Sequence, residues 1–338
     1  MLCTGYDFLA GNPPSADLVY HWACLPRKHT MLYCTCRLQE DKSIMYKDIA
    51  NELLSFIQKS PSCFHAVNTM KDMLPLFSAG ECNEGDYAQL LADELGCAKE
   101  DIFGTDLYLV NRMTPSIWGV KEEFISSPKL DDLQCAFTSL KALLHGTNEQ
   151  AVNVFACFDN EEVGSGTKQG ACSTFLYDVL QRINDNLGYT KEDYYRAVAK
   201  SFMVSCDNAH AVHPNHPEKT DDTNCTYMNK GIVVKFSANQ KYTTDAVSSA
   251  VFAGICEKAE VPVQHFANRS DAAGGSTLGN LSSQKVSMHT VDIGLAQLAM
   301  HSSYETAGIK DSEYMIRALT TFYNTNLHIT DSETIEVA

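Results

Sequence analysis

Two adjacent glutamates, Glu161 and Glu162, offer the sharpest chemistry in this sequence. They follow Asp159 and a short apolar run, Val152–Phe158, and precede a turn punctuated by Gly164, Gly166 and Gly170. Like charges side by side are costly to bury unless a cation compensates one of them. One carboxylate can hold a metal while the other, turned away, takes a proton from metal-bound water. A solvated acidic turn is the competing reading, and the local residues leave both open. Asp207, His210 and His213 follow a second apolar run, Phe202–Ser205. An Asp at a strand end with two histidines behind it suits a metal or substrate loop, although either histidine alone reads equally as a surface or hydrogen-bonded core residue. Asp292 and His301 lie at and beyond a later apolar run, Val286–Ile293. A mixed Asp/Glu/His set suits zinc, with manganese or cobalt as substitutes. A metal pair, about 3.5–4 Å apart, also needs a bridging carboxylate.

These residues converge only if the chain brings the ends of its strands together. Strand-type runs at Val152–Phe158, Phe202–Ser205, Ile232–Phe236 and Val286–Ile293 alternate with helical periods. The helical periods cover Tyr46–Lys59, His65–Met73, residues 86–98, Asp131–Leu144, Thr174–Ile183, Ala246–Ala259 and Asp311–Tyr323. A further Leu- and Val-rich stretch lies at Asp106–Val110. Such alternation predicts an α/β fold, a three-layer sandwich with a mostly parallel sheet. Ligands in such sheets bind beyond the carboxyl ends of strands, which is where the acidic and histidine residues fall. Residues 1–44 lack a clear period and stand apart from a domain expected over residues 45–330.

With 338 residues the chain can bury a large core. A formal net charge of -16 argues against nucleic-acid or anionic-membrane partners. No apolar run approaches the roughly 18 residues of a membrane span, and the first residues do not read as a secretory signal. The 13 cysteines are scattered without a CxxC pair. A reduced set of thiols in a cytoplasmic protein is expected from that pattern.

Five segments, in this order and spacing, resemble the M18 aminopeptidase family, which includes aspartyl aminopeptidase. They are Ser127–Leu133, Phe158–Ser165, Ser205–Asn215, Arg269–Gly279 and Asp292–Ser302. The resemblance covers about residues 45–325 and implies a di-zinc exopeptidase fold with two zinc ions per active site, peptide substrates and a homo-oligomer. It implies that Asp131 bridges both metals, that Glu161 is the general base, and that Glu162 and His301 hold one zinc while Asp207 holds the other. Lys235 resembles a lysine that pairs with an acidic substrate side chain, the alternative being an exposed strand lysine. His213 resembles a substrate contact, Arg269 and Asp271 resemble structural residues near the site, and Gly274 and Gly275 resemble positions that let backbone approach substrate.

One family element is missing. The family carries an early His-x-Asp motif whose His binds metal, and none of the eleven histidines here has an Asp two positions later. Met70–Pro75 joins an early family segment to a much later one, which also omits most of the family's inserted assembly domain. The expectation is therefore an aminopeptidase that hydrolyses N-terminal residues, acidic ones among them, with one weakened zinc position and a compromised assembly. A catalytically impaired relative that binds peptides or joins an assembly is the alternative.

Overall fold

The computed structural model describes residues 74–272 and 274–338. The helical periods at Tyr46–Lys59 and His65–Met73, the segment 1–44 and most of the junction at residues 70–75 lie outside them. Helix α1 (Asp86–Leu95) comes first, followed by strands β1 (Ser116–Trp118) and β2 (Phe124–Ser127) and helix α2 (Leu130–His145). Then come α3 (Phe175–Asn186), α4 (Lys191–Ala199), β3 (Phe202–Cys206) and β4 (Ala209–His210). The middle of the chain supplies β5 (Ile232–Phe236), α5 (Ala246–Lys258), β6 (Val263–Ala267) and the short α6 (Leu278–Ser282). It closes with β7 (His289–Gly294), β8 (Ala296–Leu298), β9 (Glu305–Gly308), α7 (Ile309–Tyr323), β10 (Leu327–Ile329) and β11 (Ile335–Val337). No helix among the described residues is long and apolar enough to cross a membrane.

The fold is mixed α/β. Strands β3, β7, β5 and β6 form one sheet in that order, with β3 parallel to β7, β5 parallel to β6, and β5 antiparallel to β7. A second sheet has the order β1-β2-β9-β8-β4 and is antiparallel except for β4 against β8. The two sheets share strand partners. The β3–β7 pairing continues past a break into β4–β8, through Asp207 N to Ile293 O and Ala209 N to Leu295 O. Asp207 and Asn208 sit at that break.

Apolar alternation explains the layers. Ile232 and Val234 of β5 and Val291 and Ile293 of β7 pack with Cys135 and Ala142 of α2, Phe252 and Cys256 of α5, and Met315 and Leu319 of α7. Val233, one position out of phase on β5, joins Phe266, Tyr242 and Ala296 in a second cluster. Period two therefore puts Lys235 on the face of Val233, away from the helices. Two differences from the sequence reading matter for the site. Val152–Phe158, read as a strand, carries no sheet assignment. The helix Lys191–Ala199, which the apolar pattern did not single out, is capped by Thr190, whose hydroxyl accepts from Asp193 N.

Candidate metal centre

The site forms where three chain segments meet. The first is the entry to α2. Lys129 takes a left-handed backbone (φ 61°), and Asp131 and Asp132 are still non-helical, so the regular helix starts only after them. Their peptide bond is cis. Both carboxylates thus stand at a helix N-terminus, where exposed N–H groups favour negative charge. The second segment is the turn that carries Glu161 and Glu162. Asn160 and Ser165 also take positive φ (both 59°), and the turn closes through Gly164 N to Glu161 O and Ser165 N to Asn160 O, each 2.8 Å. Asp159 is buried and braces it, accepting from Asn160 N at 2.8 Å and Gln169 Nε2 at 3.3 Å. The third is the loop after β8, where His301 itself has φ 66°. Non-glycine residues in this region are sparsely populated and cluster at sites the surrounding structure over-determines.

His301 Nε2 lies 3.2 Å from Asp131 Oδ2 and 3.1 Å from Glu162 Oε2. The three donor atoms fall within 4.8 Å of one another. Asp131, Asp132 and Asp207 form a second such cluster, so Asp131 is common to both. Glu161, Glu162, Asp131, Asp207 and His301 all line one cleft of about 440 Å³, which also reaches His210 and Gly275.

Electrostatics bear out the crowding. Burial, then the charges of Asp207, Glu162 and Asp131, push the Glu161 carboxyl up to about 8. Burial raises Asp207 to about 6, against the opposing pull of Lys235. Asp132 is held well above the usual carboxylate range by burial and by Asp207 and Asp131. The hydrogen bonds to Asp131 and Glu162 raise the His301 imidazole to about 10. Three carboxylates that resist ionising beside one imidazole that resists neutrality describe a negative pocket short of cations.

Lys235 is not an exposed strand lysine. It is 2% exposed, and its Nζ donates to Asp207 Oδ2 at 3.1 Å and Asn208 O at 2.7 Å. Burial would lower its pKa, but Asp207 and other neighbouring groups hold it above the usual range. Asn208 is fixed in turn, donating through Nδ2 to Gln134 Oε1 at 3.1 Å and Gln297 Oε1 at 2.6 Å. His213 is not brought to the cleft. It lies exposed in the loop beyond β4, its Nδ1 accepts from Asn215 N at 3.2 Å, and its ring stacks at a tilt on His216. The earlier histidine of the same loop, His210, lines the cleft instead because it ends β4. Arg269 pairs with Asp271 at 2.7 Å and also donates to Glu218 O. Asp292 is buried inside β7, bonded to Thr243 and Thr277 and away from the clusters.

One residue that the sequence reading missed is central. Glu305, 2% exposed at the start of β9, accepts from Asp131 N through Oε2 and from His301 N through Oε1, each at 2.8 Å. It ties the backbones of two candidate ligands to one carboxylate. Burial lifts it to about 7, although both N–H donors pull it down. Its only sequence signal is an acid four residues after His301, in a stretch of small and polar residues, Ser302–Gly308.

The donors fit a metal pair unevenly. Asp131, Glu162 and His301 supply two carboxylates and an imidazole, a set that suits zinc with a position left for water. Asp131 Oδ1 and Asp132 Oδ1 are buried without a hydrogen-bond partner, so the second cluster also has valences that a cation would satisfy. Its donors are all oxygen.

Scaffold and donors together define the class, an α/β protein with two candidate metal-binding clusters that share one carboxylate. The chain belongs to the M18 family. Residues 78–323 match the family described as aminopeptidase I zinc metalloprotease. It is 46% identical over 261 residues to a probable M18 family aminopeptidase 2 of Clostridium novyi, covering 76% of this chain and 60% of that protein. It is 38% identical over 256 residues to a probable aspartyl aminopeptidase of Ricinus communis, covering 74% of this chain and 52% of that one. The solved mApe1 dodecamer of S. cerevisiae superimposes with a TM-score of 0.60 at 28% identity, over 70% of this chain and 54% of the other. The chain thus spans little more than half the length of these relatives.

Proposed function

We propose that the cleft is a zinc-dependent aminopeptidase site that releases N-terminal residues from peptides. The observation that carries this reading is His301 Nε2 set between Asp131 and Glu162, with Glu161 on the same cleft and outside that ligand set. Zinc, when bound, polarises the scissile carbonyl and acidifies water. Glu161 accepts the proton of the attacking water at its carboxylate and passes it to the leaving amine. Asp131 orients both halves of the centre, and Glu305 fixes Asp131 and His301 through their backbones. Negative side chains around the cleft attract the positive N-terminal amine of a peptide, while a substrate blocked at that amine loses the attraction. An acidic preference would rest on Lys235. Two of its three hydrogens are committed to Asp207 and Asn208, which leaves the third to meet a substrate carboxylate.

Turnover of aspartyl, glutamyl and leucyl chromogenic substrates, with zinc and with chelator, tests the proposal. Zinc-dependent release from free but not N-blocked substrates is the expected result. Release from peptides blocked at the amine would overturn it. The second reading, a peptide binder with little turnover, is favoured by the missing His-x-Asp motif. Tight binding of free-amine peptides to the zinc-loaded chain, with negligible release, would select it.

A further inference from the structure

We propose that Asp292 is a positioning residue for substrate: its buried carboxylate clamps two loop segments to β7 and so sets the part of the cleft wall that carries no candidate metal ligand. This rests on the reading of the cleft as a peptide site. Spacing in the sequence groups Asp292 with the metal-binding acids, yet it belongs to neither cluster. A carboxylate 1% exposed is costly to bury unless strong hydrogen bonds compensate it, so the groups it holds are informative.

From the first segment, Thr243 donates to Asp292 Oδ2 through its N at 2.5 Å and its Oγ1 at 2.7 Å. Asp292 N donates in turn to Thr244 Oγ1 at 2.9 Å. From the second segment, buried Thr277 donates through Oγ1 to Asp292 Oδ1 at 2.9 Å. Each oxygen therefore fixes one segment, and the carboxylate sets the spacing between them. Both segments line the cleft, the first through Tyr242 and the second through Gly275, Ser276, Thr277 and Leu281. They share it with Glu161, Asp207 and His301. The Tyr242 ring also lies 5.6 Å from Lys235 Nζ, so the first segment reaches the lysine of the cleft. Gly279 completes the clamp. A Cβ there would stand 2.6 Å from Asp292 Oδ1 and 2.9 Å from Ser205 Cβ, so only glycine lets α6 close on β7 and β3. Two buried acids thus brace one cleft. Glu305 stands behind Asp131 and His301, and Asp292 stands behind a wall without ligands. A wall that meets peptide but no metal supplies binding common to substrate and transition state, which appears in KM and not in kcat.

Asparagine is the control. The Thr243 N–H can only donate, so an amide at position 292 turns its carbonyl there, while the Thr277 hydroxyl can reverse and accept from the amide N–H. Asp292→Asn therefore keeps both ties, and Asp292→Ala cuts both. In the zinc-loaded full chain, Asp292→Ala should raise KM for leucyl and aspartyl chromogenic substrates. It should raise Kd for a free-amine peptide too, each by about tenfold or more, the worth of one charge-assisted hydrogen bond. Turnover number and zinc affinity should stay close to the parent's, as should every property of Asp292→Asn. Hydrogen exchange of the metal-free chain should quicken over residues 242–245 and 275–282 in the Ala variant alone. Should Asp292→Ala fail to fold, Thr277→Val removes the Oδ1 tie by itself, and the same split with faster exchange over 275–282 is expected. Unchanged KM and Kd, or unchanged exchange, in either folded variant would overturn the proposal. So would a loss that falls on zinc affinity or turnover number, or an Asp292→Asn variant as impaired as Ala. A parent chain that neither releases nor binds free-amine peptides removes the peptide reading and this proposal with it. A parent that does either, with variants unchanged, removes this proposal only.

Discussion

Replacing Glu305 tests whether the centre depends on a residue that touches neither metal nor substrate. Its two oxygens accept the N–H groups of Asp131 and His301 at 2.8 Å, in a position 2% exposed. Glu305→Ala leaves both donors without an acceptor, at about 1–3 kcal/mol each. The sum, about 2–6 kcal/mol, is a large share of the 5–15 kcal/mol, roughly, that stabilises a typical domain. Glu305→Gln keeps one carbonyl acceptor and turns an amide N–H toward the other donor, so it loses one bond and should fold. If the residue positions ligands, the Gln variant should lose zinc affinity by about 10–100-fold, as expected when a group supporting metal ligands is removed. Chemical denaturation with and without zinc gives the stability change, and competition with a chromophoric chelator gives the affinity. A Gln variant destabilised by a few kcal/mol whose zinc affinity stays within about twofold would show that Glu305 only fills the core. An Ala variant as stable as the parent would refute the hydrogen-bond reasoning itself.

Glu161→Gln should lower turnover by about 10²–10⁴-fold while zinc content is retained; if zinc leaves with activity, Glu161 is a ligand and the roles of the glutamate pair are reversed. Lys235→Ala should slow both acidic and neutral substrates because Asp207 loses its partner, with an added loss for aspartyl substrates of about 1.5–3 kcal/mol. Equal losses on aspartyl and leucyl substrates would reject a role in specificity. The metal-free chain should become less stable as pH rises. Glu161 is raised to about 8, Asp207 to about 6, and Asp132 is raised as well, all above their ordinary values. The folded state therefore binds more protons than the unfolded one across that window, so stability falls between about pH 4 and 8. Thermal unfolding in chelator should show a midpoint that drops from pH 5 to 8, and zinc should shrink the drop; a flat profile would contradict the crowding of these carboxylates.

Local pattern made part of the scaffold legible, although β1, β2, β6, β9 and α4 were not read from it. The helical period over Asp131–Leu144 anticipated α2, and the apolar runs at Phe202–Ser205 and Ile232–Phe236 anticipated β3 and β5. Of the acidic and histidine residues placed beyond strand-type runs, Glu161, Glu162, Asp207, His210 and His301 line one cleft, whereas His213 and Asp292 do not. Three features were not legible for identifiable reasons. The burial of Lys235 depends on which face of β5 meets the second core cluster, and period two does not say which face is dry. His213 and His210 are equivalent in sequence, and only the end of β4 separates them. Glu305 acts through backbone N–H groups, which leave no trace in side-chain spacing.

The unassigned run Val152–Phe158 bears on how the two halves of the centre are held. Its residues have strand chemistry, but a strand needs a ladder, and among the described residues none pairs with it. Val152 is 78% and Val154 41% exposed, so the run does not bury the apolar surface that its sequence offers. Its anchors are single bonds, such as Asn153 Nδ2 to Tyr323 O at 3.1 Å and Tyr323 Oη to Val154 O at 3.4 Å. The turn bearing Glu161 and Glu162 hangs from this run. Asp131 and His301, by contrast, are pinned by Glu305 and by the packing of α2 against α7. The proposed zinc ligands therefore come from elements anchored to unequal degrees. Contact between Glu162 and His301 at 3.1 Å joins the glutamate turn directly to the loop after β8. A bound cation strengthens that join, because each carboxylate it draws in loses the repulsion of its neighbours. If the cleft holds zinc as proposed, metal affinity and the order of the glutamate turn are coupled in one equilibrium.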